Sequence, residues 1–191
     1  MSQNTLLPEA ARCRLLNVQL SMKTIPLTHG QYAIVDDDDY EWLSQWKWGC
    51  DFQRTKMYVV KNAYLGGGRK NPRRKKIRMH RLILGLQEGE ICDHKNGNGL
   101  DNRKSNLRKC TILQNNQNRK PMVTKNGKRT LSSFKGVSFN KLESKWIAYI
   151  RNNGQLVFLG YFTDEREAAR AYNEAAKKYF GEFAFLNTLP T

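Results

Sequence analysis

Apolar residues in this chain come in short clusters separated by polar, turn-forming stretches. Tyr32-Ala33-Ile34-Val35 and Met57-Tyr58-Val59-Val60 are β-rich runs that predict strands. The second run is expected to pair with Lys76-Ile77-Arg78-Met79 across a Gly/Pro-rich loop at 65–72. Between the two runs, Tyr40, Leu43 and Trp46 recur at i, i+3 and i+6, which predicts a short helix over 39–46. Trp42, Trp46 and Trp48 are expected to anchor a small core, because a domain of this size needs large apolar side chains. Residues 88–119 are dense in Asn, Asp and Gly, the chemistry of turns. Within them Thr111-Ile112-Leu113-Gln114 has the form of a capping box and predicts a helix from about Ile112. Asn115 and Asn118 then share one helical face. Residues 120–132 are polar, basic and turn-rich, and are expected to form a linker. Three further β-rich runs follow, and then a helix from about 164 to 179. Ala168, Ala169, Tyr172, Ala175, Ala176 and Tyr179 would line its apolar face.

Composition narrows the partners. The 191 residues hold 33 Lys and Arg against 17 Asp and Glu, a net charge of +16. With 39% hydrophobic and 10% aromatic residues the chain can build one or two small cores. Mean hydropathy is −0.71. No apolar run approaches the roughly 20 residues of a bilayer span. From Gln53 to Gln87 there is no acidic residue but eleven basic ones, including Arg73, Arg74, Lys75, Lys76, Arg78 and Arg81. Such a single-sign field attracts a polyanion, and nucleic acid is the expected partner. A membrane surface is disfavoured, because Gly66-Gly67-Gly68 and Pro72 break any amphipathic helix there. Asp36–Asp39 form an acidic run. Cys13, Cys50, Cys92 and Cys110 make no CxxC pair, so no structural zinc is expected, and reduced thiols point to the cytoplasm. Glu9, Arg12 and Arg14 interrupt the stretch where a signal peptide would be apolar. Met22 offers an alternative start, which would leave residues 1–21 as an extension.

The candidate chemistry lies in the middle of the chain. Ile91-Cys92-Asp93-His94 precedes the loop Lys95-Asn96-Gly97-Asn98-Gly99-Leu100-Asp101-Asn102, and Ser105-Asn106-Leu107-Arg108 follows it. The pattern predicts a strand ending at Asp93-His94, a loop, a returning strand over 106–110 and a helix able to lay Asn115 back beside Asp93. A carboxylate and an amide oxygen are hard ligands suited to Mg²⁺. The adjacent imidazole can take a proton from water near neutral pH.

The run DHKNGNGLDNRKSNLR followed by QNNQN closely resembles the HNH homing endonucleases of phages and introns, members of the ββα-metal nucleases. The preceding Met79-His80-Arg81-Leu82-Ile83 and the TIPLTHGQYAIVDDDDYEWLSQWKW stretch extend the resemblance back to about Ile25. It implies that Asp93 and Asn115 are metal ligands, that His94 is the general base and that Asn106 braces the loop carrying the histidine. Asn118 falls at the last polar helix position of the family and is a further candidate for the active site. His80 is another, as a phosphate contact or a packed strand residue. His29, beside Gly30, reads as a turn residue.

The C-terminal segment carries a second resemblance. SFKGV (133–137), KWIAYIR (145–151) and FLGYF (158–162) resemble the three strands of a plant-type Apetala-two/ERF DNA-binding domain. EAARAYNEAA (167–176) resembles its helix and Asn187 its closing asparagine. That family lays its sheet in the DNA major groove. The resemblance implies that Lys135, Ser138, Asn140, Tyr149, Arg151 and Phe158 face DNA, while Trp146 and Phe162 pack the sheet on its helix. Ser138, Asn140 and Leu156 stand where plant members carry arginines.

The expected fold is therefore α+β. A 1–22 extension precedes a β-rich region leading into a ββα-metal nuclease module (23–119). A basic linker (120–132) then joins it to a three-stranded antiparallel sheet packed on one helix (133–191). The expected activity is Mg²⁺-dependent hydrolysis of a phosphodiester bond in double-stranded DNA, with Mn²⁺ as a substitute ion. A monomer with one site would nick. The expected source is a phage or mobile element acting in the host cytoplasm or nucleoid. The alternative is a non-catalytic, sequence-specific DNA-binding regulator with a decayed nuclease module.

Overall fold

The computed structural model describes residues 22–53, 56–68, 71, 73–121, 124, 125 and 128–189. The 1–21 extension, Cys13, Arg54, Arg69, Lys70 and Pro72 lie outside the described residues. The chain forms two compact units. The first takes in the described residues up to Leu86 together with Asn98–Arg108, and the second Gln87–Gly97 with the described residues from Lys109 on.

In the first unit β1 (Met22–Pro26) pairs antiparallel with β2 (Tyr32–Asp36). His29 sits in the intervening turn at φ 63°, the left-handed conformation a turn residue adopts. Helix α1 runs Asp37–Ser44, two residues earlier than the apolar spacing suggests. The reason is electrostatic: Asp37, Asp38 and Asp39 occupy its first turn, where carboxylates meet the positive end of the helix. Strands β3 (Gly49–Gln53), β4 (Lys56–Tyr64) and β5 (Arg74–Arg78) form one antiparallel sheet. The expected β4–β5 hairpin is present, with a shifted register. Val60 pairs with Arg78 and Tyr64 with Arg74, while Met57–Val59 pair with β3 instead. Met79 leaves the strand and opens helix α2 (Met79–Ile83).

Leu43, Trp48, Val59 and Met79 form the core of this unit with Ile25, Leu27, Ala33, Val35 and Leu100. Each fully buried side chain of this size contributes about 1.5–3 kcal/mol. The expected tryptophan cluster is graded. Trp48 is buried, Trp42 packs against the core, and Trp46 lies at the rim with the Lys61 ammonium 3.1 Å from its ring centre.

Strands β6 (Ile91–His94) and β7 (Leu107–Cys110) form a two-stranded sheet, and helix α3 runs Ile112–Gln117. Lys109–Cys110 of β7, α3 and β6 belong to the second unit. The predicted linker contains a short antiparallel pair, β8 (Thr124–Lys125) with β9 (Lys128–Arg129). Strands β10 (Val137–Asn140), β11 (Lys145–Asn152) and β12 (Gln155–Phe162) then form the antiparallel sheet, and helix α4 (Glu165–Phe180) packs on it. Ile150, Tyr172, Ala176 and Phe180 make the core between them. Tyr179, expected inside, is 38% exposed, and Phe180 takes the buried place. Gly136 has φ +75°, and a Cβ there would lie 2.0 Å from the Tyr172 ring, so only glycine lets the chain cross that close.

Candidate active site and nucleic-acid interface

The helix after β7 starts where its sequence says. The Thr111 side chain accepts from Gln114 N at 3.1 Å, and the Gln114 side chain accepts from Thr111 N at 2.8 Å. This closed box sets the phase of α3 and so decides which side chains meet β6. At the C-cap of α3, Asn118 turns its amide onto the end of that strand. Its Nδ2 donates to Asp93 Oδ2 at 2.9 Å and to the carbonyls of His94 and Lys95 at 3.1 Å each. Three oxygens around one atom identify it as the nitrogen of the amide. Asp93 and His94 are 3% and 5% exposed. The His94 carbonyl also accepts from Gly97 N at 2.8 Å. The backbone carrying the imidazole is thus fixed from two directions. Asn115 lies one turn earlier than Asn118, half-buried on the same face. The contact to Asp93 that the spacing suggested for Asn115 is made by Asn118.

Loop residues 98–106 are fixed within the first unit. Asn106, 6% exposed, donates from Nδ2 to Asp101 O at 2.7 Å. The Asp101 carboxylate grips Arg103 through two bonds of 2.8 and 2.7 Å, which holds the guanidinium protonated even above its ordinary range. The acidic run has a local role here. Asp36 Oδ2 accepts from Lys104 N at 2.7 Å, and Asp39 pairs with the Lys104 ammonium at 3.0 Å. The bond to Asp39 raises the Lys104 pKa. Asn102 N donates to Ile34 O at 2.8 Å, and Ile34 N to Leu100 O at 2.9 Å, tying the loop to β2. No local spacing signals these long-range bonds.

His80 lies on α2 and not on a strand; it is 7% exposed and meets the Tyr58 ring edge-on at 5.7 Å. Of the basic hairpin, Arg73, Arg74, Lys75 and Lys76 are exposed. The Lys76 ammonium pairs with Asp51 at 2.7 Å, and Arg78 is half-buried over the Tyr58 ring. Arg81 is half-buried on α2.

In the sheet, Ala148 and Ile150 are buried, while Tyr149 and Arg151 point to the other face. Ser138 Oγ and Tyr149 Oη share a 2.7 Å hydrogen bond there. Arg151 Nη1 donates to Gly154 O at 2.9 Å. Asn140 uses its side-chain oxygen to accept from Leu142 N at 3.0 Å, closing the β10–β11 turn. Phe158 is 54% exposed and packs edge-on with Tyr161 at 5.1 Å. Tyr161 shares this face because the register shifts between Ala148 and Tyr149. Strict alternation would have sent residues three apart to opposite sides.

Lys135 departs from its expected place on this face. Its Nζ donates to Gln117 O at 2.5 Å and Arg119 O at 2.8 Å, beneath the C-terminus of α3. Burial, with help from the Arg119 charge, pushes its pKa down to about 8.

The donors around β6 are suited to one hard divalent ion. Asp93 offers a carboxylate, one oxygen of which accepts from Asn118, and Asn115 offers an amide oxygen. Among the described residues no three His, Cys, Asp or Glu side chains gather into a cage. One carboxylate and an amide match an ion that keeps most of its shell for water and phosphate oxygens. Cys50, Cys92 and Cys110 are not joined in a disulfide, and burial raises the Cys50 pKa.

The chain belongs to the HNH endonuclease family. It is 31% identical over 171 residues to "Uncharacterized HNH endonuclease L560" of Acanthamoeba polyphaga mimivirus, covering 84% of this chain and 76% of that protein. The C-terminal segment is similar to plant proteins of the Apetala-two/ERF type. It is 47% identical over 57 residues to "Dehydration-responsive element-binding protein 2A" of Arabidopsis thaliana, and 40% identical over 65 residues to "APETALA2-like protein 2" of Oryza sativa subsp. indica. These matches cover 29% and 34% of this chain but only 17% and 15% of the plant proteins. No family model matches the chain. Among the described residues no helix is long and apolar enough to cross a membrane.

Proposed function

We propose that this protein is a DNA endonuclease that nicks duplex DNA, positioned by the outer face of β10–β12. What supports the reading is the Asn118 amide on the Asp93 carboxylate and on the His94 carbonyl, which brings α3 onto the one strand end that carries both a hard ligand and a base. His94 accepts the proton of a water in the site, and that water's oxygen attacks the scissile phosphorus. The bond from phosphorus to the 3′ oxygen breaks, leaving a 5′-phosphate, and the 3′ oxygen leaves as an alkoxide that takes a proton from solvent water to become the hydroxyl. Asp93 and Asn115 would hold Mg²⁺, with Mn²⁺ as a substitute, and the ion would supply neutralisation of developing negative charge. Asn106 keeps the loop between the paired strands in shape through Asp101 O. Ser138, Tyr149, Arg151 and Phe158 meet the major groove, while Arg73, Arg74, Lys75 and Lys76 hold phosphates and set no sequence preference.

The test is relaxation of supercoiled plasmid in Mg²⁺ by wild type and His94→Ala. A lost general base lowers the rate about 10²–10⁴-fold, with duplex affinity kept. Equal nicking by the two proteins discards His94 as the base, and no nicking by the wild type leaves only a DNA-binding protein.

A further inference from the structure

We propose that the C-terminal sheet is fastened directly to the catalytic helix, and that Lys135 is the positioning residue that fixes where the cut falls relative to the bound sequence. This rests on the nuclease reading above only for its consequence in cutting.

The last carbonyls of a helix have no intrahelical partner. Here two carbonyls flanking the end of α3, those of Gln117 and Arg119, are taken by one ammonium at 2.5 and 2.8 Å. Lys135 does not reach them from a loose chain. Its N–H donates to Asn187 Oδ1 at 2.7 Å, and its carbonyl accepts from Asn187 Nδ2 at 3.1 Å. Asn187 in turn exchanges bonds of 2.7 and 2.9 Å with Asn173 of α4. Phe185 N also donates to Gln117 O at 3.4 Å. On the other side of the same turn, Asn118 holds Asp93. One turn of chain therefore separates the metal-ligand carboxylate from the frame of the sheet. All these residues lie within the second compact unit.

The alternative for Lys135 is a DNA contact. Two of its three N–H donors point at backbone carbonyls, and burial lowers its pKa. Both observations favour an internal strut. Without the strut, the sheet and the nuclease strand would be joined by the Phe185–Gln117 bond and by the covalent connection through residues 120–132. A flexible chain of that length spreads over roughly 20 Å, which is about six steps of 3.4 Å along DNA. With the strut, the cut is held to one position.

Full-length wild type, Lys135→Met and Lys135→Gln are compared by hydrogen–deuterium exchange and by mapping nicks on duplexes selected for binding. In Lys135→Met the amides of α3 exchange at least tenfold faster while those of β11 and β12 do not change. Nicks spread over about six positions (the reach worked out above) with unchanged duplex affinity. If Lys135→Met loosens throughout, Lys135→Gln, which keeps donors without the charge, is expected to loosen α3 alone. Wild-type exchange in α3 in either variant overturns the proposal, as does an unchanged single nick position. If the wild type cuts nothing yet α3 loosens in the variants, the fastening stands and the nuclease reading falls.

Discussion

Asn118→Ala gives the sharpest test of how the site is held. The amide has two N–H groups and three acceptors, Asp93 Oδ2 at 2.9 Å and the carbonyls of His94 and Lys95 at 3.1 Å. A hydrogen bond to a charged acceptor contributes about 1.5–3 kcal/mol and one to a neutral carbonyl about 0.5–1.5 kcal/mol. The two carbonyls share the second proton, so the expected loss is about 2–3 kcal/mol for this half-buried residue. For a unit of roughly 100 residues, that lowers the melting temperature of the second unit by about 8–24 °C. Asn118 touches strand, not substrate, so kcat should fall with KM for DNA unchanged. More Mg²⁺ should be needed for half-maximal rate, because the Asp93 rotamer is no longer fixed. Asn118→Asp is expected to be worse at neutral pH, since it sets a second carboxylate against Asp93, and to recover partly on acidification as one of the pair takes a proton. Calorimetry and single-turnover nicking at several Mg²⁺ concentrations read both effects. An Asn118→Ala protein that melts within 1 °C of wild type (a margin well under the shift worked out above), with kcat intact, refutes the clasp.

Two further outcomes follow from geometry already described. Gly136→Ala places a methyl 2.0 Å from the Tyr172 ring and 2.5 Å from Tyr149 O at a positive φ, so the C-terminal unit should lose several kcal/mol in urea unfolding; a loss below about 1 kcal/mol would contradict the close crossing. The lowered pKa of Lys135 means the unfolded chain binds the more protons between about pH 8 and the ordinary lysine value of 10.5. Stability contributed by this group therefore rises over that window as the buried ammonium gives up its charge, and wild type should gain on Lys135→Met from pH 8 to 10 in parallel melts.

Much of the site was legible because its determinants are local. Thr111 and Gln114 declare the start of α3 by themselves, and the Asp93-His94 pair, Asn106 and the Asn115/Asn118 spacing sit within one short stretch. The period-two alternation around Tyr149 and Arg151 gave the orientation of the sheet. What escaped depends on distant partners. Met79 sits in a run that reads as strand, yet burial in the first core turns it into the start of a helix. The acidic run Asp36–Asp39 reads locally as a helix start, and its grip on Lys104 exists only once the fold brings that residue to it. Lys135 reads as a surface cation until the fold places two carbonyls before it. Phe158 and Tyr161 share a face only through a register shift that no alternation rule contains.

The distribution of indoles has a practical consequence. Three of the four tryptophans stand edge to face in the first unit, with ring centres 5.8 and 6.1 Å apart, and Lys61 lies over the middle one. Trp146 alone reports from the second unit, beside Phe139. Coupled indoles at that spacing give a signed circular dichroism couplet in the far ultraviolet, while a Trp146→Phe protein silences the other emitter. The two halves of the molecule can thus be watched melting separately with intrinsic light alone, without a label on either.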